Sequence, residues 1–276
     1  MRSILGPARR TQFTPKVDTK VCTLNWLRRL VVSEAKLPSI PDGRRVYAIG
    51  DIHGRLDLFD ALMAMIAADD AARGARASQL ILLGDLIDRG PSSAGVVQRV
   101  IELVEREPTT QVLFGNHEEM LLAALRSDRG EAMRFFTQNG GRETLLSYGI
   151  SADDYDRCSN AELRELAEAA IPRAHVDFLE GLPAWVAVGD YLFVHAGIRP
   201  GVPLEEQSDS EMRWIRGDFL NSKRDHGAIV VHGHSVSAEV EERPNRIGID
   251  TGAFASGVLT AIGLEANHRW YLATGG

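Results

Sequence analysis

The chain has 276 residues, of which 44% are hydrophobic and 25% charged, and its formal net charge is −7. This composition is typical of a soluble globular protein. The two cysteines, Cys22 and Cys158, are too few for a disulfide framework and predict a reduced, cytoplasmic setting. No apolar run approaches the length of a membrane span, and the first ten residues lack the apolar core of a signal peptide.

Charge is unevenly distributed along the chain. Residues 1–45 carry ten Lys/Arg against three Asp/Glu, whereas the remainder carries 21 against 35. The acidic body argues against nucleic-acid binding and suits a protein that binds cations. Prolines and Gly43 interrupt residues 1–43, which we interpret as an N-terminal basic extension. It could pack on the domain, form a partly disordered arm, or contact a partner. A short amphipathic helix around Trp26 also leaves a membrane-surface role open.

The first half of the remaining chain alternates predicted strands with predicted helices. Strands are expected at 46–49, 79–83 and 112–114, and helices at 56–73, 94–107 and 119–126. This β-α-β-α-β-α order implies parallel strands whose carboxyl ends meet at one sheet edge.

Each of these strands ends in a polar, glycine-containing motif. The motifs are Gly50-Asp51-Ile52-His53-Gly54, Gly84-Asp85 with Asp88-Arg89-Gly90, and Gly115-Asn116-His117-Glu118. Asp51 and His53 are two residues apart, so their side chains point the same way in an extended backbone. Ligands are therefore expected at the carboxyl ends of the strands.

Residues 127–182 are predicted to be a mostly helical insert, or cap, with one helix over 162–170 that begins near Ser159. The pattern then changes to short strands. A hairpin with a two-residue turn is expected over 185–194, followed directly by His195. A strand at 229–231 ends in His232-Gly233-His234, and three more strands are expected at 246–249, 257–264 and 270–272.

The polar side chains at five strand ends combine carboxylate, amide and imidazole groups. This mixture suits first-row divalent metals and neither a thiolate zinc site nor an all-oxygen calcium site. The ligands are too many for one ion, and a carboxylate such as Asp85 can bridge two. Paired metal ions about 3.5–4 Å apart are suited to in-line displacement at phosphorus.

Taken together, these motifs resemble the calcineurin-like metallophosphoesterases, and more closely their phosphoprotein phosphatase branch with its bacterial and phage members. The resemblance spans residues 46 to about 264. It implies an α/β fold over residues 44–276, a four-layer α/β/β/α sandwich with two central mixed sheets. It also implies two divalent metal ions, with Mn²⁺ expected first and Fe or Zn as alternatives.

The resemblance also implies a role for each matching residue. The first metal would be held by Asp51, His53 and Asp85, and the second by Asp85, Asn116, His195 and His234. His117 would protonate the leaving oxygen, oriented by Asp88. Phosphate would be bound by Arg89, Asn116 and Arg216, and Asp250 would lie in a turn near the site.

The sequence is also compatible with other roles for several residues. Asp88 could simply pair with Arg89, His232 could touch the site, and Glu118 is expected to fix its loop. The remaining motif-free histidines, His175, His226 and His268, are expected in the core or at the surface. Ala196 and Ser235 depart from the eukaryotic pattern without removing a ligand, which weakens any transfer of eukaryotic substrate grooves or regulatory subunits.

The resemblance predicts hydrolysis of phosphomonoesters, first of all phosphoserine and phosphothreonine in proteins, by in-line attack of a hydroxide that bridges the two metals. The alternative is a symmetrical dinucleoside tetraphosphate hydrolase or another small phosphate-ester hydrolase. Asp88 and Glu118 argue against that alternative, because its branch tends to lack the first and to have Asp in place of the second. A catalytically silent binding module is disfavoured, since no ligand is missing from the motifs.

Overall fold

The computed structural model describes residues 37–128 and 130–275. Most of the basic extension, including the amphipathic segment around Trp26, lies outside the described residues. Residues 38–43 of the extension belong to the folded body. Ile40 is buried, and its backbone N–H donates to the carbonyl of Ala266 at 3.0 Å.

Strands and helices alternate through the first half of the described chain. The elements are β1 (Arg44–Ile49), α1 (Leu56–Ala72), β2 (Ala77–Leu82), α2 (Ser93–Arg106), β3 (Gln111–Val112) and α3 (Asn116–Arg126). β1 pairs in parallel with β2, and β2 with β3, as the order of the elements predicts.

Helices fill the following segment. They are α4 (Gly130–Phe136), a π-helical stretch (Thr137–Gly141), α5 (Arg142–Ser147), α6 (Ala152–Arg157), α7 (Asn160–Ala170) and α8 (Arg173–Glu180). The start of α7 has a clear local cause. The Ser159 hydroxyl accepts the N–H of Glu162 at 3.3 Å, and the Glu162 carboxylate accepts the N–H of Ser159 at 2.8 Å. This reciprocal capping satisfies N–H groups that the helix itself cannot.

The second half is built mainly from short strands. They are β4 (Trp185–Val188), β5 (Tyr191–Val194), β6 (Ile229–His232), β7 (Glu241–Arg243), β8 (Arg246–Gly248), β9 (Thr260–Glu265) and β10 (His268–Ala273). Between them lie a 3₁₀ turn (Leu204–Glu206) and the short helices α9 (Asp209–Trp214), α10 (Gly217–Leu220) and α11 (Ala253–Ser256).

The strands form two five-stranded mixed sheets. The first has the order β10-β9-β1-β2-β3 and the second β4-β5-β6-β8-β7. In the second sheet β5, β6 and β8 are parallel neighbours. Residues that directly follow these three strands therefore gather at one edge of the sheet, as they do after β1, β2 and β3 in the first.

The side-chain alternation of β1 shows how the layers are arranged. Val46 and Ala48 pack in a core shared by the two sheets, whereas Tyr47 and Ile49 face a second core formed with α1, α2 and the helical segment. A third core joins the outer face of the second sheet to α9 and α10 through residues such as Phe219. The result is the expected α/β/β/α sandwich.

Most element boundaries fall within a few residues of the sequence prediction. The hairpin over 185–194 matches it fully, while β7 and α9–α11 were not predicted, because three- to six-residue elements carry too little periodicity. Among the described residues, no helix is both long enough and apolar enough to cross a bilayer.

Candidate metal centre

The predicted ligands converge at the carboxyl ends of the parallel strands of both sheets. Asp51 and His53 follow β1, Asp85 follows β2, His195 follows β5, and His234 follows β6. All are buried, with at most 5% of the residue surface exposed. Asn116 and His117 open α3 just beyond β3 and are equally buried.

Asp85 lies at the centre of this cluster. Its Oδ2 is 3.6 Å from His53 Nε2 and 3.8 Å from His117 Nε2, and its Oδ1 is 3.4 Å from His195 Nε2. Two groups of residues could each hold a metal ion, His53-Asp85-His117 and Asp85-His195-His234, and Asp85 is common to both. Burial opposes charge on Asp85, but the facing imidazoles hold the pKa of its carboxyl well below the usual value.

The imidazole rings are oriented by backbone carbonyls. His53 Nδ1 donates to the carbonyl of Ile87 and His195 Nδ1 to that of Leu83, both at 2.8 Å. Each ring therefore directs Nε2 toward the cluster, an arrangement usual for metal-binding histidines. His234 Nε2 is buried without a hydrogen-bond partner in the described structure, so a metal would satisfy it. The donor set fits divalent metal ions.

Asp51 stands slightly apart from these two groups. Its two oxygens accept the backbone N–H of His234 at 2.9 and 3.2 Å, and it belongs to neither three-residue group. His117 takes the corresponding place in the group around His53. Burial and the neighbouring Asp250 raise the pKa of Asp51 well above normal. Asp250 Oδ2 is itself buried without a hydrogen-bond partner in the described chain. A cation near Asp51 and Asp250 would stabilise both carboxylates.

The backbone of the site is strained at several positions. Positive φ angles occur at His53 (46°), Asp85 (49°), Asp88 (73°), Arg89 (69°) and His234 (63°). Residues other than glycine pay a free-energy cost in this region, and such strain concentrates at functional sites. Close packing adds a constraint at Gly233, because a Cβ atom there would overlap the Asp51 carboxylate.

Glu118 holds the loop after β2, as the sequence interpretation expected. Its carboxylate accepts the backbone N–H groups of Asp85, Leu86 and Gly115 at 2.9, 2.8 and 3.0 Å. Burial, with the nearby charge of Asp85, raises the pKa of Glu118 to about 7. The side chain therefore fixes the backbone on which Asp85 is carried.

His117 and Asp88 form a buried pair. His117 Nδ1 donates to Asp88 Oδ2 at 2.6 Å, which leaves Nε2 facing the cluster. Burial alone would lower the pKa of His117, but the carboxylates of Asp85 and Asp88 outweigh it and raise the pKa. The Thr144 hydroxyl donates to Asp88 Oδ1 at 2.6 Å. Asp88 is thus engaged by His117 and Thr144, and the alternative pairing with Arg89 is not the arrangement found.

The two predicted phosphate-binding arginines act on different histidines of the cluster. Arg89 donates to His53 Nε2 at 2.7 Å, and its guanidinium lies 4.7 Å from the ring centre of Phe254. It also lines a cavity of about 670 Å³ together with Arg55 and Phe254. Arg216 is exposed at the start of α10. Together with burial and His195, its charge lowers the pKa of His234.

The other histidines lie apart from the ligand cluster. His232 turns toward Phe219, with ring centres 5.1 Å apart, and its Nε2 faces Arg246 at 3.4 Å. His175 contacts Tyr148 and Gln98, and His226 contacts Asn245. The side chains of Thr144, Phe254 and Trp214 border the site, yet sequence reasoning gave them no role, because none stands in a strand-end motif.

Comparison with known proteins agrees with this geometry. The model of the calcineurin-like phosphoesterase family matches residues 44–259. The chain is 28% identical to the bis(5'-nucleosyl)-tetraphosphatase PrpE (asymmetrical) of Anoxybacillus flavithermus, a match that covers 78% of this chain and 88% of the relative. It is 32% identical to a symmetrical bis(5'-nucleosyl)-tetraphosphatase of an Acidovorax species, over 58% of this chain and 47% of that one.

A solved structure described as a candidate diadenosine tetraphosphatase shares the fold. It superimposes with a TM-score of 0.57 at 22% identity and covers 83% of this chain and 93% of its own. Since the family model matches most of the chain, and two groups of buried metal ligands meet at the strand ends, this chain belongs to the calcineurin-like phosphoesterase family.

Proposed function

We propose that this chain hydrolyses bis(5'-nucleosyl) tetraphosphates. The observation that carries the proposal is the match, over 78% of the chain, to a relative that bears this activity in its name. The comparisons therefore favour the alternative from the sequence over its first expectation, a phosphoserine and phosphothreonine phosphatase. Asp88 and Glu118, which had weighed against the alternative, serve here to position His117 and Asp85.

The side chains of the site suit attack on a phosphoanhydride. When bound, two divalent ions would activate a water molecule and neutralise phosphate charge. His117, held through Nδ1 by Asp88, presents Nε2 as a proton donor for the leaving phosphate oxygen. Arg89, which contacts His53, and the exposed Arg216 offer positive charge for the oxygens of a long polyphosphate. The N and O donors are compatible with Mn²⁺, Fe²⁺ or Zn²⁺.

The test is a direct comparison of substrates. Purified protein loaded with Mn²⁺, Fe²⁺ or Zn²⁺ is given diadenosine tetraphosphate or a phosphothreonine peptide, and products are separated by ion-exchange chromatography. We expect faster turnover of the dinucleotide. ADP as the sole product would indicate a symmetrical cut, and ATP with AMP an asymmetrical one. Faster release of phosphate from the peptide would overturn the proposal and restore the protein phosphatase interpretation.

A further inference from the structure

Two exposed aromatic side chains lie next to each other beside the candidate metal centre. Trp214, at the end of α9, is 36% exposed, and Phe135, in α4, is 50% exposed. Their ring centres are 6.4 Å apart, with an angle of 40° between the planes. A contiguous exposed apolar surface can mark a ligand-binding site, whereas a single exposed aromatic side chain is ordinary. We call Trp214 and Phe135 the aromatic pair.

The indole of Trp214 is held in a fixed orientation. Its Nε1 donates to Glu119 Oε2 at 2.6 Å, and Glu119 in turn accepts two hydrogen bonds from Arg213, each at 2.9 Å. The polar edge of the ring is therefore satisfied within the protein, while part of its surface stays open. A ring fixed in advance loses little conformational entropy when a flat ligand stacks on it.

The aromatic pair adjoins the His234 end of the ligand cluster. The ring centre of Trp214 is 6.3 Å from that of His234, which lies 5.1 Å from His195. At the other end, Phe254 is 5.4 Å from His53, but the Arg89 guanidinium covers its ring. An open aromatic surface is thus available beside His234, and Arg216, which follows Trp214 closely in the chain, is exposed as well.

We propose that the aromatic pair, Trp214 with Phe135, is the subsite that binds one nucleobase of the substrate by stacking. This assignment rests on the proposed function for its substrate class and deepens it by locating a nucleoside. Aromatic side chains stack on nucleobases with little dependence on base identity, because every base has a flat π surface. The phosphate attached to that nucleoside would reach the cluster at His234, with Arg216 beside it.

Binding measurements test the subsite separately from catalysis. AMP and ribose 5-phosphate share the ribose and phosphate but only AMP has a base, and both are titrated into Mn²⁺-loaded protein by calorimetry. The variants are Trp214→Leu and Phe135→Leu. The control is Trp185→Leu, because Trp185 is 38% exposed and none of the ring contacts found in the described chain joins it to the cluster.

We expect wild-type protein to bind AMP more tightly than ribose 5-phosphate. Trp214→Leu should weaken AMP binding about tenfold and leave ribose 5-phosphate unchanged, since one base stack is removed. Phe135→Leu should act in the same direction, and Trp185→Leu should have no effect. Equal affinities for the two ligands in wild type, or equal AMP binding by the Trp214 and Trp185 variants, would overturn the assignment.

The outcomes separate this inference from the proposed function. If diadenosine tetraphosphate is not hydrolysed but AMP affinity still depends on Trp214, the proposed reaction fails and the base subsite stands. If the dinucleotide is hydrolysed and Trp214→Leu leaves both its KM and AMP affinity unchanged, the reaction stands and the subsite is wrong.

Discussion

The carboxylate of Asp85 faces three imidazole nitrogens at 3.4–3.8 Å, so a single side chain joins the two ligand groups. Asp85→Asn keeps the shape but removes the charge. We expect it to weaken metal binding by at least about 100-fold and abolish turnover, because loss of even an outer-shell partner costs about 10–100-fold. Metal content by mass spectrometry after dialysis measures this. Asp153→Asn, at an exposed carboxylate, is the control, and equal metal content in the two variants would contradict the shared-ligand role.

His117 has a more specific signature. His117→Asn should lower kcat by about 10²–10⁴-fold with little change in KM, since a proton donor acts mainly in the transition state. The loss of kcat should be smaller for p-nitrophenyl phosphate, because its leaving group needs no proton. Steady-state rates on both substrates measure it, with His268→Asn at an exposed position as control. An equal loss on both substrates would contradict the general-acid role and point to metal binding, since His117 also lies in a possible ligand group.

At the scale of elements, the helical segment 130–180 reaches into the site. The Gly140 carbonyl accepts the N–H of Arg89 at 3.0 Å, and α5 supplies Thr144, whose hydroxyl accepts the N–H of Asp88 at 2.9 Å and donates to its carboxylate. The strained backbone at Asp88 and Arg89 is thus held from outside the strand-end motifs. We therefore expect the segment to tune catalysis as well as access.

Thr144 is a positioning residue for the pair Asp88–His117. Thr144→Val keeps the volume but removes the hydroxyl, and we expect about a tenfold loss of kcat at unchanged KM, because a hydrogen bond to a charged group is lost. Thr144→Ser retains the hydroxyl and should recover most of the rate. Steady-state kinetics measures kcat and KM of the two variants, and thermal unfolding confirms that both are folded. Equal rates for Val and Ser would show that only packing matters at this position.

At the scale of the whole molecule, His175 ties α8 to its neighbours. Its Nδ1 accepts the hydroxyl of Tyr148 at 2.9 Å, and its Nε2 donates to Gln98 at 3.0 Å. A neutral ring satisfies both contacts, and burial, which disfavours the charged form, lowers the pKa of His175. The unfolded chain takes up a proton near pH 6.5 that the folded chain resists. The contribution of His175 to the free energy of unfolding is thus fully present above about pH 6.5 and is lost as the pH falls below that value.

Urea unfolding between pH 7.5 and 4.5 measures this contribution. The free energy of unfolding should fall on acidification, and the part due to His175 cannot exceed about 1.4 kcal/mol per pH unit. His175→Gln should be less stable at neutral pH but lose less on acidification than wild type. His268→Gln should follow the wild-type profile. If the His175 variant lost stability as steeply as wild type, the neutral buried state would be contradicted.

Local sequence accounts for much of the fold. The hairpin over 185–194 can be predicted because two continuous apolar runs flank the two-residue turn Gly189-Asp190, and α7 can be predicted because Ser159 and Glu162 mark its start. β7 and the short helices α9–α11 escaped prediction, because so few residues carry no periodic signal of their own. In the folded chain α9 and α10 pack on the second sheet, whereas Ala253 of α11 packs in the core beside the first sheet.

The motifs in the sequence by themselves determined the family and, with it, the layered fold. The sequence also determined which residues converge, because neighbouring parallel strands bring their carboxyl ends to one edge of a sheet. Only the tertiary structure decided which ligands share Asp85, that Asp51 is held by the backbone of His234, and that Thr144 supports Asp88. It alone placed Trp214 against Phe135. These contacts join residues from separate elements, so they depend on packing rather than on any local spacing along the chain.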